Sequence, residues 1–181
     1  MRKKHYSVIL TLALSGFSVT AMSTVMPSVG NLIDERLSYM KDVSGYKAQN
    51  HLAIEDLTQE KKVLEKAVAD ANSLGIEGRT VKHFVQAQMD AAKAIQYRYR
   101  ADWLSAPEPG WQPRPLDQVR HKISQLSYSI LQKVAKRLQS GGRLSGTEQQ
   151  SFMQDVRQRN LNEKDKQMIW SALNEVSLKK N

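Results

Sequence analysis

From Leu32 onward the apolar residues recur every three or four positions, and this period constrains the chain more than any other feature. A period near 3.6 gathers them on one side of an α-helix, whereas a strand would need strict alternation. Leu32, Ile33, Leu37, Met40 and Val43 open a first helix that Gly45 weakens without ending. It runs to about Gln49, and Asn50-His51 is the break. Leu57, Val63, Leu64, Ala67, Val68, Ala71 and Leu74 mark a second, begun near Glu55 and Asp56 and stopped by Gly75. Thr80 is the expected cap of a third, with Val81, Phe84, Val85, Met89, Ala92, Ile95, Tyr99 and Trp103 on its inner side. Ser105 to Pro115 holds four of the five prolines and must be a loop. A fourth helix follows from about Asp117, with Val119, Ile123, Leu126, Ile130, Val134 and Leu138 inward, and Gly141-Gly142 ends it. Two shorter helices surround Phe152, Met153 and Val156, then Met168, Ile169, Leu173 and Val176. The expected fold is all-α: a bundle of about six helices with no sheet.

Residues 1–21 follow a different pattern. Arg2, Lys3 and Lys4 precede an apolar run, Tyr6 to Val19, that is short for a membrane span. Val19-Thr20-Ala21 fits a small-residue cleavage site, so 1–21 reads as a secretory signal peptide. The remainder, 22–181, reads as one all-helical domain: 22–104, the proline-rich loop 105–115, and C-terminal helices over 116–181. An exported chain can form disulfides, yet this one has no cysteine, which excludes thiol catalysis and thiolate metal sites. The formal charge of +9 favours anionic ligands without naming one. Nucleic acid is an unsuitable partner outside the cytoplasm. The histidines do not form an HExxH pair, and no phosphate-binding glycine loop or G-x-S-x-G elbow occurs. No metal or cofactor is therefore expected. Trp103, Trp111 and Trp170 are scattered, as packing residues are.

Set among the apolar stripes are polar residues that could point into one space between helices. Arg36 and Lys47 are eleven residues apart, about three turns and about 16 Å on a continuous helix. Asp56 and Glu60 share one face at i and i+4. Gln96 follows Ala92 by one turn, and Arg120 lies one turn before Ile123. Each has a plainer reading alone. Arg36 and Lys47 could be solvated surface cations, Asp56 a helix start and Glu60 a surface acid. Gln96 could bridge two helices, and Arg120 could be a boundary residue with a wet head. Buried together, such groups would need complementary charge. A small dianion bearing a hydroxyl would supply it.

Asp34-Glu35-Arg36-Leu37, Tyr46-Lys47, Ile54-Glu55-Asp56, Glu60 and the run Ala94-Ile95-Gln96-Tyr97-Arg98-Tyr99-Arg100-Ala101-Asp102-Trp103 stand in a characteristic order. Behind a signal peptide, they resemble the exported, monofunctional chorismate mutases of the all-helical class, gamma subclass. The likeness is close from Leu32 to Trp103 and looser beyond. It implies a chorismate mutase type II bundle and an isomerase of aromatic amino acid biosynthesis. The reaction would be the Claisen rearrangement of chorismate to prephenate, which uses no cofactor, metal or nucleophile. Arg36 and Arg120 would bind the carboxylates. Lys47 would bond a carboxylate and the ether oxygen, and Gln96 would be the second donor to that oxygen. Asp56 and Glu60 would lie near the substrate, with Glu60 accepting from its hydroxyl. Gln59 stands where relatives often carry Arg, and Ala92 where many carry Ser or Thr. Both belong to the expected pocket wall, and both substitutions would weaken carboxylate binding.

The resemblance further implies a periplasmic homodimer with each site built within one chain, and no membrane association after cleavage. The alternative is a non-enzymatic periplasmic helical protein, binding or chaperone-like, that uses its basic surface on acidic partners. That reading explains export and charge but not the interleaving of acids and a Gln with the cations.

Overall fold

The computed structural model describes residues 27–142 and 146–180. The expected signal peptide, 1–21, lies outside them. The described chain forms helices α1 (Val29–Ser38), α2 (Met40–Gln49), α3 (Leu57–Ser73), α4 (Gly78–Ser105), α5 (Leu116–Gln139), α6 (Gly146–Asp155) and α7 (Glu163–Asn174). Among the described residues there is no strand, and one isolated bridge joins Ile76 to Leu178. The all-α class anticipated from the periodicity is the fold observed.

The segment expected as one first helix is two, α1 and α2, separated by Tyr39. Tyr39 keeps a right-handed helical backbone, and the Val43 N–H bonds back to its carbonyl at 3.1 Å, so the pair forms one rod interrupted at Tyr39. The proline-rich loop docks at this junction. Arg114 lies over the Tyr39 ring at 4.4 Å, and its backbone N–H donates to Asp42 at 2.9 Å. Gly45 now has a reason. A Cβ there would lie 2.6 Å from the Trp111 ring, so the missing side chain is the socket for that indole. Trp111 continues a row of rings through Trp103 to Tyr99, each 5.5 Å from the next.

Two helix starts refine the sequence reading. α3 is capped by Asp56, whose carboxylate accepts from the Gln59 N–H at 3.0 Å. α4 is capped by Glu77, not Thr80. Thr80 sits inside the first turn, where its hydroxyl donates to the Glu77 carbonyl at 2.7 Å. The cause is distant in sequence. The Glu77 N–H donates to the Ser177 carbonyl at 2.8 Å, which pins the α3–α4 turn to the C-terminal tail and lets the helix begin earlier.

α4 is the central helix, flanked by α2, α3 and α7, while α5 crosses α1, α2 and α3. One continuous apolar core runs between them, with Ile33, Phe84, Ile95, Val119, Ile130 and Ile169 fully buried. α6 and α7 close the far side, where the Phe152 and Trp170 rings meet at 5.3 Å. Between the α1–α2 rod, α3, α4 and α5 the packing leaves a cavity.

Candidate active site

The cavity has a volume of about 290 Å³ and is floored by apolar residues, among them Val43, Ile54, Val63, Met89 and Ile123. All eight residues singled out in the sequence line it: Arg36, Lys47, Asp56, Gln59, Glu60, Ala92, Gln96 and Arg120.

Helix ends place the charges. Arg36 lies in the last turn of α1 and Lys47 in the last turn of α2. For Lys47 the C-terminal end of the α2 dipole favours the positive charge and offsets part of the cost of burial. Asp56 and Glu60 occupy the cap and first turn of α3, where exposed N–H groups favour negative charge. Gln96 and Ala92 come from the middle of α4 and Arg120 from the early part of α5.

Arg36, Lys47 and Gln96 are only 4, 7 and 5 % exposed, which rules out the solvated-surface reading for both cations. Arg36 Nε donates to the Ser127 hydroxyl at 3.0 Å, but its Nη1 is buried without a partner. Burial lowers the guanidinium pKa to about 10, so the group remains charged at neutral pH. The Lys47 ammonium donates to the Ile54 carbonyl. Burial is the main cause that lowers its pKa, Arg120 and Arg100 add to the lowering, and Asp56 and Glu60 oppose it. Gln96 Nε2 donates to the Ala92 carbonyl at 3.1 Å and faces the Met40 sulfur at 3.7 Å, while its Oε1 is buried without a donor.

The acids are paired. Asp56 lies 3.7 Å from Arg120, and Glu60 lies 3.0 Å from Lys93. Lys66, further along the lining, holds Asp70 at 2.7 Å. Among the described residues no carboxylate stands within ion-pair distance of Arg36 or Lys47. Two buried cations without counter-ions in one enclosed space are costly unless an anion enters. The arrangement can therefore grip a dianion, with the neutral amide donor of Gln96 in the same cavity. Among the described residues no three His, Asp or Glu side chains gather as a metal-holding group.

Lys93 was missed in the sequence reading, which left Glu60 as a possible surface acid. The partner comes from α4. Lys93 precedes Gln96 by three residues, so helical spacing alone places it on the same face. Ser127, which receives Arg36, was also missed; it lies on the face of α5 that Arg120 and Ile123 mark.

Residues 28–97 match the model of a family described as chorismate mutase type II. The chain is 55 % identical over 148 residues to a secreted chorismate mutase of Yersinia pestis, covering 82 % of this chain and 80 % of that protein. It is 38 % identical over 160 residues to a monofunctional chorismate mutase of Enterobacter agglomerans, covering 88 % of each. The crystal structure of the secreted chorismate mutase from Yersinia pestis superposes with a TM-score of 0.78 at 53 % identity, over 83 % of this chain and 97 % of that one. A chorismate mutase structure from Burkholderia thailandensis shares the fold at 19 % identity and a TM-score of 0.64, over 81 % of this chain and 97 % of that one.

Proposed function

The chain belongs to the type II chorismate mutase family, and from that premise we propose that the cavity between the α1–α2 rod, α3, α4 and α5 is where chorismate rearranges to prephenate. The observation that carries this reading is the pair of buried cations, Arg36 and Lys47, with no carboxylate partner among the described residues and one unused guanidinium nitrogen. Chorismate brings two carboxylates, a ring hydroxyl and an ether oxygen.

The reaction is one pericyclic step. The ether C–O bond breaks while a C–C bond forms, and no proton or electron leaves the substrate. The protein has two tasks, holding the compact conformer and stabilising the negative charge that grows on the ether oxygen. Arg36 Nη1 and Arg120 take the carboxylates. For Arg120 this means sharing its guanidinium with Asp56, a pairing that is long at 3.7 Å and half exposed. Lys47 and Gln96 meet the ether oxygen. The second Gln96 hydrogen faces only the weak acceptor sulfur of Met40, which an oxygen in the cavity would displace. Glu60 is held by Lys93 and by the Asp56 N–H at 3.4 Å, and a carboxylate so placed keeps lone pairs for the substrate hydroxyl. Gln59 supplies a neutral donor where a cation would bind a carboxylate more tightly, and Ala92 offers no hydroxyl.

The name of the Yersinia relative supports export, and we extend the proposal to a periplasmic homodimer released by cleavage after residue 21. Light scattering on the purified protein tests the dimer. The activity itself is tested by mixing purified protein with chorismate and following loss of the diene absorbance. Rapid loss supports the reading, and no loss at high protein concentration ends it. Lys47→Ala is expected to lower kcat/KM by about 10²–10³, the effect of removing one preorganised donor from a developing oxyanion. An undiminished rate in that variant would leave the activity in place but move the site.

A further inference from the structure

The segment 50–56 between α2 and α3 contributes Ile54 and Asp56 to the cavity wall and is held from two sides. On the cavity side, the Lys47 ammonium donates to the Ile54 carbonyl. On the outer side, Arg100 Nη2 donates to the Leu52 carbonyl at 2.6 Å, and the Tyr97 hydroxyl donates to the Glu55 carboxylate. Both outer residues come from the last third of α4, and neither lines the cavity. The segment begins where His51 takes a left-handed φ of 54° and the Leu52 N–H closes onto the Lys47 carbonyl at 2.8 Å. It ends at Asp56, the cap of α3. Ile54 is its buried anchor.

Lys47 therefore has two tasks. An ammonium carries three donors, so the Ile54 carbonyl takes one and the others remain for the substrate. The bond to Ile54 aims the ammonium only while the segment itself is held in place. The outer bonds from α4 supply that hold.

We propose that Arg100, assisted by Tyr97, is a positioning residue for the rearrangement: it fastens segment 50–56 to α4 so that the Ile54 carbonyl keeps the Lys47 ammonium aimed at the substrate while the wall stays closed. This rests on the cavity being the chorismate site. Arg100 also acts on Lys47 through space. Asp56 and Glu60 on α3 favour the Lys47 charge, while Arg120 on α5 and Arg100 on α4 oppose it. Loss of Arg100 would therefore let Lys47 keep its proton to higher pH, both by removing repulsion and by admitting water as the segment loosens.

The test compares chorismate turnover by the unsubstituted protein with Arg100→Gln, Arg100→Lys and Tyr97→Phe. Arg100→Gln is expected to lower kcat/KM about tenfold, as loss of one charge-assisted hydrogen bond does. Its alkaline limb should move to higher pH, and the Leu52 amide should exchange hydrogen faster. Arg100→Lys keeps the charge and a donor, so it should restore most of the rate and leave the limb in place. Arg100→Gln with an unchanged rate and limb would overturn the proposal. So would a slow Arg100→Gln whose limb stays put and which lysine does not rescue, because that is a purely structural effect. Should Arg100→Gln fail to fold, Tyr97→Phe decides, since it removes one hydroxyl from a half-exposed side chain. A KM raised about threefold with faster exchange over 52–56 supports the proposal, and unchanged values overturn it. If the unsubstituted protein does not turn over chorismate, the functional reading falls, and the exchange measurements still show whether Arg100 holds the segment.

Discussion

Gln96 places a neutral donor where an acid would bring a titrating one. An amide keeps its N–H at every accessible pH, so this donor imposes no pH limit. In Gln96→Glu the donor exists only while the carboxyl is protonated. Activity should then be highest at acid pH and fall about tenfold per unit above the new carboxyl's pKa. A variant with the parental pH profile would remove Gln96 from the reaction. The parent should lose activity on the alkaline side, where Lys47 and, near pH 10, Arg36 give up their charge. The charged form of Lys47 is the working one, and burial lowers its pKa, so kcat/KM should decline at a pH below the ordinary lysine value of about 10.4. A bound dianion favours the ammonium, so the limb on kcat should lie at higher pH than the limb on kcat/KM. Coincident limbs, or none below the ordinary lysine range, would count against Lys47 as the titrating donor. These site residues were legible because helical spacing carries them to one face of each helix. Lys93 was not, because its reason for being there, Glu60, lies on another helix.

At the scale of elements, the helices follow from the apolar period, and their boundaries do not. α4 begins at Gly78 because Glu77 pairs with Ser177, a contact between parts of the chain a hundred residues apart that no local signal encodes. The break at Tyr39 was likewise invisible, because it coincides with the docking of the proline-rich loop through Arg114. Gly45 ties these observations to a measurement. In an exposed helix, Gly→Ala gains about 0.5–1 kcal/mol of stability from backbone entropy. At Gly45 the added Cβ would lie 2.6 Å from the Trp111 ring, with Pro113 behind it at 3.4 Å. Displacing a packed indole costs about 1–3 kcal/mol, so the clash outweighs the entropy gain. Gly45→Ala should therefore lower the urea midpoint and disturb Trp fluorescence. A more stable variant would show that Trp111 does not need this socket.

The whole molecule maintains a cavity that works against its own stability. Arg36 is charged, almost fully buried, and has one hydrogen-bonding nitrogen unused. Its pKa, lowered by burial to about 10, gives the direction of this cost. The unfolded chain holds the proton to higher pH than the folded one. The Arg36 contribution to stability should therefore rise as pH climbs past 10 toward the ordinary arginine value, and its full cost is present at neutral pH. Arg36→Met fills similar space without the charge, and Ser127 still donates to the Ile123 carbonyl at 2.8 Å, so the substitution leaves no hydroxyl stranded. The variant should be more stable by about 1–3 kcal/mol, since removing an uncompensated buried charge is favourable. That corresponds to roughly 2–4 °C in Tm per kcal/mol for a chain of this length. It should also be nearly inactive, and its Tm should no longer rise when a dianionic product such as prephenate is added. In the parent, a ligand at a hundred times its Kd should add about 2.7 kcal/mol. Thermal unfolding of both proteins, with and without prephenate, separates the possibilities. A destabilised Arg36→Met would mean that the guanidinium supports the fold. A stabilised variant that still responds to prephenate would place the carboxylate grip elsewhere. A stabilised variant that has lost both catalysis and the ligand response would show that this chain gives up stability at Arg36 in order to bind an anion there.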